Sequence, residues 1–375
     1  MPSYSRQTEW RSGILGWFSI PPRLARRHSN NENLFILRPS EWNERVEKYN
    51  KPMSTKLLRR LIFSLLFGII VFFALLFVGD AKKTLAALAA STWWYLPLVL
   101  LLACGNFLFR FLRWSLYLRL SGIAVPLRQS VTVFMSGLAM SITPGKFGEL
   151  IKCHGLKQTS GTPVAQSASV IFAERFTDLL AVLILAGVGA LGFHYGTRVI
   201  LISLIVLAGL LVLVMCRPVV RSLFRWLASF RPLSRVMEKL SELYEHTFRL
   251  LLPLPLLSGI FLGALAWFLE CFGFWLVLIA VHAPLSLGVA VFIYAFATLF
   301  GAITFLPGGL GATEGSLTGL LVLRDVPKNE AVAAALLIRG ATLWFAVLIG
   351  LLWYIPNERK LVPIYSSTNP EPEHT

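Results

Sequence analysis

Long blocks of apolar side chains alternate along this chain with shorter polar segments rich in arginine and lysine. Each block is close to the roughly 20 helical residues that cross a hydrocarbon core. The pattern predicts membrane helices at about 57–79, 93–120, 164–190, 197–215, 256–281 and 329–354. Two further apolar segments, 127–158 and 286–323, are interrupted in mid-run and are predicted as broken hairpins that enter the bilayer and return. The expected fold class is all-α: a polytopic membrane bundle of about six full spans plus two re-entrant hairpins, eight hydrophobic segments in all.

The interruptions carry the most information. The first reads Thr143–Pro144–Gly145–Lys146–Phe147–Gly148–Glu149, and the second Leu306–Pro307–Gly308–Gly309–Leu310–Gly311–Ala312–Thr313–Glu314. Irregular backbone at membrane depth needs protein or a water-lined cavity to satisfy its N–H and C=O groups. Two such breaks at matching places in two halves point to a transport site. Gly145, Gly148, Gly308, Gly309 and Gly311 allow positive φ and close helix approach. They are also expected to leave amides at the start of the following half-helix available to phosphate or carboxylate.

The halves repeat in register. Pro144 and Pro307 lie 163 residues apart; Pro163 and Pro327, each followed twelve residues later by Arg175 and Arg339, lie 164 apart. Three crossings per half would invert the second half relative to the first, the plan of many carriers.

Charge sets the expected orientation. The net charge of +16 would suggest nucleic acid in a soluble protein, but the basic residues cluster between apolar blocks, so no nucleic-acid partner is expected. The heaviest basic loads lie in 1–56 and in an amphipathic stretch at 216–252, which carries Arg217, Arg221, Arg225, Arg231, Arg235, Lys239 and Arg249. Both are expected in the cytoplasm beside anionic phospholipids, with the C-terminal tail 356–375 on the same side and 80–92 outside. The predicted domains are thus the arm 1–56, the membrane domain 57–355 and that tail. The first 50 residues hold no apolar core of a signal peptide, and the four scattered cysteines imply neither disulfides nor a metal site. No ATP-binding or Ser/His/Asp pattern occurs, so no cofactor, no metal and no enzymatic activity are expected.

A charge at the centre of a span costs roughly 2.5–3.5 kcal/mol on insertion scales, so intramembrane charges require a partner or a task. Asn106, Arg110, Arg113 and Tyr117 stack on one helical face. Arg113 and Arg119 are near enough to the inner surface to snorkel, while Arg110 lies deeper. The block Glu174–Arg175–Phe176–Thr177–Asp178 puts Glu174 and Asp178 on one face, with Arg175 pointing elsewhere into the bundle. An ion-pair network with Lys146 and Glu149 and direct substrate contact are both compatible with that block. Glu314 and Arg339 form the mirror pair. Glu270 stands among apolar residues, either as a proton or cation site or as a partner of Arg110.

Taken in order, the Pro144–Glu149 element, the Glu174–Asp178 block and the Pro307–Glu314 element resemble the lysylphosphatidylglycerol synthase transmembrane region, a flippase-like integral membrane family, over about 57–355. The resemblance implies translocation of lipid between leaflets of the cell (inner) membrane. The aminoacyl-transferase domain of the bifunctional relatives does not follow in this sequence, so transport without synthesis is the expectation. The implied substrate is an anionic-head-group, aminoacylated or polyprenyl-phosphate-linked lipid. Arg110, Arg113, Arg175 and Arg339, with Lys146, Glu149, Asp178 and Glu314, are the expected substrate-site residues. Glu149, Glu174, Glu270 and Glu314 are the candidates for charge balance and for coupling to protons or ions. The alternatives are a membrane enzyme or accessory subunit of lipid or lipid-linked glycan synthesis, and a scaffold that recruits a separate lipid-synthesis enzyme.

Overall fold

The computed structural model of the chain describes residues 55–144, 147–192, 196–230 and 234–357. The N-terminal arm, Gly145, Lys146 and the tail beyond 357 therefore lie outside the described residues. Helices account for the described fold: α1 (Thr55–Val78), α2 (Ala81–Ala90), α3 (Tyr95–Leu120), α4 (Leu127–Ala139), α5 (Ile151–Ser160), α6 (Val164–Gly189) and α7 (Gly196–Met215). They continue as α8 (Arg217–Ala228), α9 (Ser234–Leu250), α10 (Pro253–Ala280), α11 (Leu287–Ile303), α12 (Ala312–Val322), α13 (Lys328–Arg339) and α14 (Phe345–Asn357). A π-turn over Gly340–Trp344 joins the last two.

Among the described residues, three helices are long and apolar enough to cross a membrane: α3, α10 and the composite Lys328–Asn357. Two bent pairs, α1 with α2 and α7 with α8, raise that number to five if each is one span. Helix α6, at 26 residues, would reach about 39 Å, and what separates it from these is its three charges. The arms of the two hairpins are shorter: 13 and 10 residues for α4 and α5, 17 and 11 for α11 and α12. Within each hairpin the two arms pack on one another.

The repeat is built into the backbone. Gly122 and His282 close α3 and α10 with φ of 70° and 61°, and Gly161 and Asp325 precede Pro163 and Pro327 with φ of 67° and 63°. The packing is reciprocal as well. Arm α4 lies on α14 of the second half, arm α11 lies on α6 of the first, and α3 and α10 cross each other. Such exchange, i on j and j on i, is what a two-fold relation between halves requires. At its centre the two Pro-Gly breaks touch, with Pro144 and Pro307 forming an isolated antiparallel bridge.

Small residues allow the close fit. Ala331, Ala333, Ala334 and Ala335 of α13 are wholly enclosed, as Ala181 of α6 and Ala290 of α11 are. Without a hydrophobic force between helices in lipid, such close contact supplies the association. The opposite faces carry large apolar side chains outward, among them Phe63, Ile70, Phe73 and Phe77 of α1, as lipid contact demands.

Residues 80–92 are mostly helix: Asp80 caps α2 by accepting from the Lys83 amide, and α1 and α2 meet at 97°. The amphipathic stretch 216–252 holds two helices, α8 and α9, clasped by Glu245, which accepts from Arg217 at 2.7 Å and Arg221 at 2.8 Å. The hydrogen bond from Arg221 holds the Glu245 carboxyl below its ordinary range. That clasp is therefore present at neutral pH and loosens as pH falls through the lowered value.

Candidate functional site

The first break is stitched by Thr143. Its hydroxyl donates to the Met140 carbonyl at 2.7 Å and accepts from the Gly148 amide at 2.7 Å. A Cβ at Gly148 would stand 2.3 Å from that hydroxyl and 2.8 Å from the Met140 carbonyl, so close approach, not positive φ, requires glycine here. The second break does use left-handed backbone, at Gly308, Gly309 and Gly311. There the Gly311 amide donates to Glu314 at 2.6 Å, and Gly309 donates to the Leu306 carbonyl. The expected anion cradle thus fails at Gly148, Gly309 and Gly311, whose amides are bonded within the chain. Met140, Ile142, Leu310, Leu343 and Val347 pack as one apolar cluster around the two breaks, with Leu65 and Val71 of α1 against it.

Beside the first break lies a buried ionic cluster from four elements. Helix α3 supplies Arg110 and Arg113, the short 3-10 turn Phe147–Leu150 supplies Glu149, α5 supplies Lys152, and α6 supplies Glu174, Arg175 and Asp178. Arg113 is fully enclosed and reaches Asp178 at 2.7 Å. Asp178 also accepts from Trp267 at 3.0 Å and faces Arg175 at 3.1 Å. Glu149 stands 3.4 Å from Arg175 and 3.8 Å from both Arg110 and Lys152. Lys152 bonds Glu174 at 3.0 Å.

The geometry corrects three expectations. Arg113 does not snorkel: it is buried against Asp178, and α10 leaves room for its guanidinium at Gly263, where a Cβ would lie 2.6 Å from Nη1. Arg175 does not point away from Asp178 but pairs with it one turn on. Glu270 is not the partner of Arg110: it accepts from the Tyr294 hydroxyl at 2.8 Å, and Arg110 faces Glu149 instead. Arg119 sits exposed at the end of α3.

Lys152 is the site residue that sequence reasoning missed. Its ammonium lies 4.6 Å from the Trp114 ring centroid and 5.3 Å from that of Phe134, and its stem passes Gly137, where a Cβ would lie 2.3 Å from Cε. The available signal was its place one turn after Glu149 in an otherwise short polar helix.

The second half repeats the pair but not the cluster. Arg339 donates to Glu314 at 2.6 Å and to the Gly308 carbonyl at 2.6 Å. Arg175 and Arg339 thus each meet the glutamate of their own hairpin. Yet Arg339 is spent on the backbone of the break, whereas the Arg175 side chain is 26% exposed and its Nε has no hydrogen-bond partner among the described residues. No group of three or more potential metal ligands occurs among the described residues.

Paired broken helices joined at the centre of a repeat, with buried charges behind them, define a polytopic helical membrane protein. The family model for the lysylphosphatidylglycerol synthase TM region matches residues 61–350, and the chain belongs to that family. A UPF0104 membrane protein of Methanothermobacter thermautotrophicus is 25% identical over 314 residues, 76% of this chain and 90% of that protein. Another, of Pyrococcus horikoshii, is 24% identical over 328 residues, 80% of this chain and 97% of its own length. A third, of Methanocaldococcus jannaschii, is 26% identical over 237 residues, 59% of this chain and 95% of its own.

Proposed function

We propose that this protein moves a lipid with an anionic phosphate head group between the leaflets of the cell membrane, with both termini and the 216–252 segment in the cytoplasm. One observation carries the reading. Among the described residues the first-half cluster sets four cations (Arg110, Arg113, Lys152 and Arg175) against three carboxylates (Glu149, Glu174 and Asp178). A buried excess of one positive charge is costly in hydrocarbon, and a phosphate at Arg175 would neutralise it. Arg110 and Arg175 are the head-group contacts in this reading, and Arg113 and Lys152 hold the carboxylates in place behind them. Arg339 and Glu314 fix the second hairpin, so that the two halves are unequal in task. Transport rather than catalysis is favoured because each carboxylate of the cluster faces a cation, leaving none poised as a general acid or base. Rocking of one half against the other about the Pro144–Pro307 contact would open the site to alternate leaflets.

Native mass spectrometry of the purified chain tests the binding step. The wild type is expected to carry a phosphate-bearing lipid, and Arg175→Met and Arg110→Met, compared on the fraction that remains folded, to lose it. Equal lipid on all three proteins would refute the assignment.

A further inference from the structure

Helix α8 plays no part in the site, yet it is the most sharply two-faced of the described helices. It follows α7 after the single residue Cys216, with a bend of 65°. A helix that leaves a membrane-length helix at that angle runs across the direction of the crossing. Val219, Leu223 and Trp226 recur at i, i+4 and i+7, on one edge, and are 54%, 48% and 61% exposed. Arg217, Arg221 and Arg225 recur at four-residue spacing on the opposite edge, and the helix carries no acidic residue. No residue of α8 is buried, although α9 flanks it.

Arg217 is tied down, stacking on Phe248 at 4.0 Å and bonding Glu245. Arg221 shares that glutamate but stays half exposed, and Arg225 is exposed. Across α8 and α9, Arg217, Arg221, Arg225, Arg235, Lys239 and Arg249 stand against Glu238, Glu242 and Glu245, which leaves this end of the protein positive. An apolar edge opposite a basic edge is the pattern of helices that lie in the plane of a membrane surface, apolar side down among the acyl chains and basic side at phosphate level.

We propose that α8 is an interfacial anchor for an anionic leaflet: Val219, Leu223 and Trp226 enter the headgroup–acyl boundary while Arg221 and Arg225 meet lipid phosphates. The occupant is the bilayer itself rather than a protein, for two reasons. Helix α7, which ends one residue before α8, also turns large apolar side chains outward, Val212 and Leu213 among them, and the charge opposite the exposed edge complements anionic lipid. An arginine near such a surface contributes about 1 kcal/mol, or close to a five-fold population ratio. The lipids engaged here are matrix lipids, so this anchor and the transport site are separable in experiment.

The test uses the full chain in vesicles of phosphatidylcholine with or without phosphatidylglycerol, after replacing Cys104, Cys153, Cys216 and Cys271 and placing a nitroxide at Leu223→Cys or Arg225→Cys. With phosphatidylglycerol, the label at 223 is expected to relax with dissolved oxygen and to be shielded from a water-soluble nickel chelate, and the label at 225 to show the reverse. Arg225→Ala should lower the inserted-to-solvated ratio at 223 about five-fold, and Arg225→Lys should restore it. Equal access of nickel to both labels would overturn the proposal. So would spin–spin broadening at 223, which would make the edge a contact between two copies. Should the cysteine-free chain not fold, the emission lost in Trp226→Phe of the native chain serves instead. Quenching of that component by brominated acyl chains and not by iodide agrees with the anchor; quenching by iodide alone rejects it.

Discussion

Replacing Asp178 by leucine is expected to remove most of the protein from the membrane. Asp178 faces Arg113 at 2.7 Å and Arg175 at 3.1 Å and accepts from the Trp267 indole at 3.0 Å. Without it, Arg113, which has no exposure at all, keeps its charge inside the bundle against the Thr177 hydroxyl at 3.4 Å. Breaking a buried pair from one side costs roughly 3–5 kcal/mol, while replacing both members by apolar groups is often neutral. Asp178→Leu should therefore lower the unfolding midpoint in detergent and the membrane abundance sharply, and Arg113→Leu added to it should return much of both. If the single variant were as abundant as the wild type, the cluster would be hydrated rather than buried.

The second large effect separates the two hairpins. Arg175→Met with Glu149→Met leaves the cluster with three cations and two carboxylates, the same excess as before. Abundance should recover relative to either single change, and lipid exchange should not, since the accessible phosphate contact is gone. Arg339→Met with Glu314→Met should recover neither. That pair also bonds the Gly308 carbonyl and the Gly311 amide; fully buried, each orphaned backbone group would cost roughly 1–3 kcal/mol, and these part-buried ones less. Membrane abundance and leaflet exchange measured on the same vesicles decide the matter. Recovery of exchange in the first double variant would make Arg175 a structural residue; full abundance of the second would remove the clamp assigned to Arg339.

Much of this arrangement was legible before any coordinates. The two Pro-Gly breaks, and the constant spacing from Pro163 and Pro327 to Arg175 and Arg339, placed each arginine against the glutamate of its own hairpin. That is how Glu149–Arg175 and Glu314–Arg339 meet. Local signals of this kind survive folding because they lie on neighbouring elements. What the pattern could not supply were contacts that depend on the relation between halves. The Pro144–Pro307 bridge joins residues far apart in sequence, and nothing in either hairpin alone encodes it. The partners of Arg113 and Lys152 were hidden for a related reason. A cation one turn from another charge, as Arg113 is from Arg110 and Lys152 from Glu149, reads as one more member of a polar stripe, until a glycine on the facing helix, Gly263 or Gly137, shows where the side chain passes. The inequality of the halves was also invisible, since matching arginines suggest matching roles. The ionic cluster around Arg175 and the extra hydrogen bond from Arg339 to the Gly308 carbonyl distinguish them.

The central claim is that the cluster behind the first hairpin carries a lipid phosphate across the bilayer. It is tested most directly by leaflet exchange in proteoliposomes that contain this chain alone. The probes are labelled phosphatidylglycerol, a labelled polyprenyl phosphate, and labelled phosphatidylcholine for comparison. The wild type should speed exchange of at least one of the two anionic probes above protein-free vesicles, and Arg175→Met, at equal incorporation, should return it to the protein-free rate. Exchange no faster than in empty vesicles for every probe, or exchange by Arg175→Met equal to the wild type, would contradict the account.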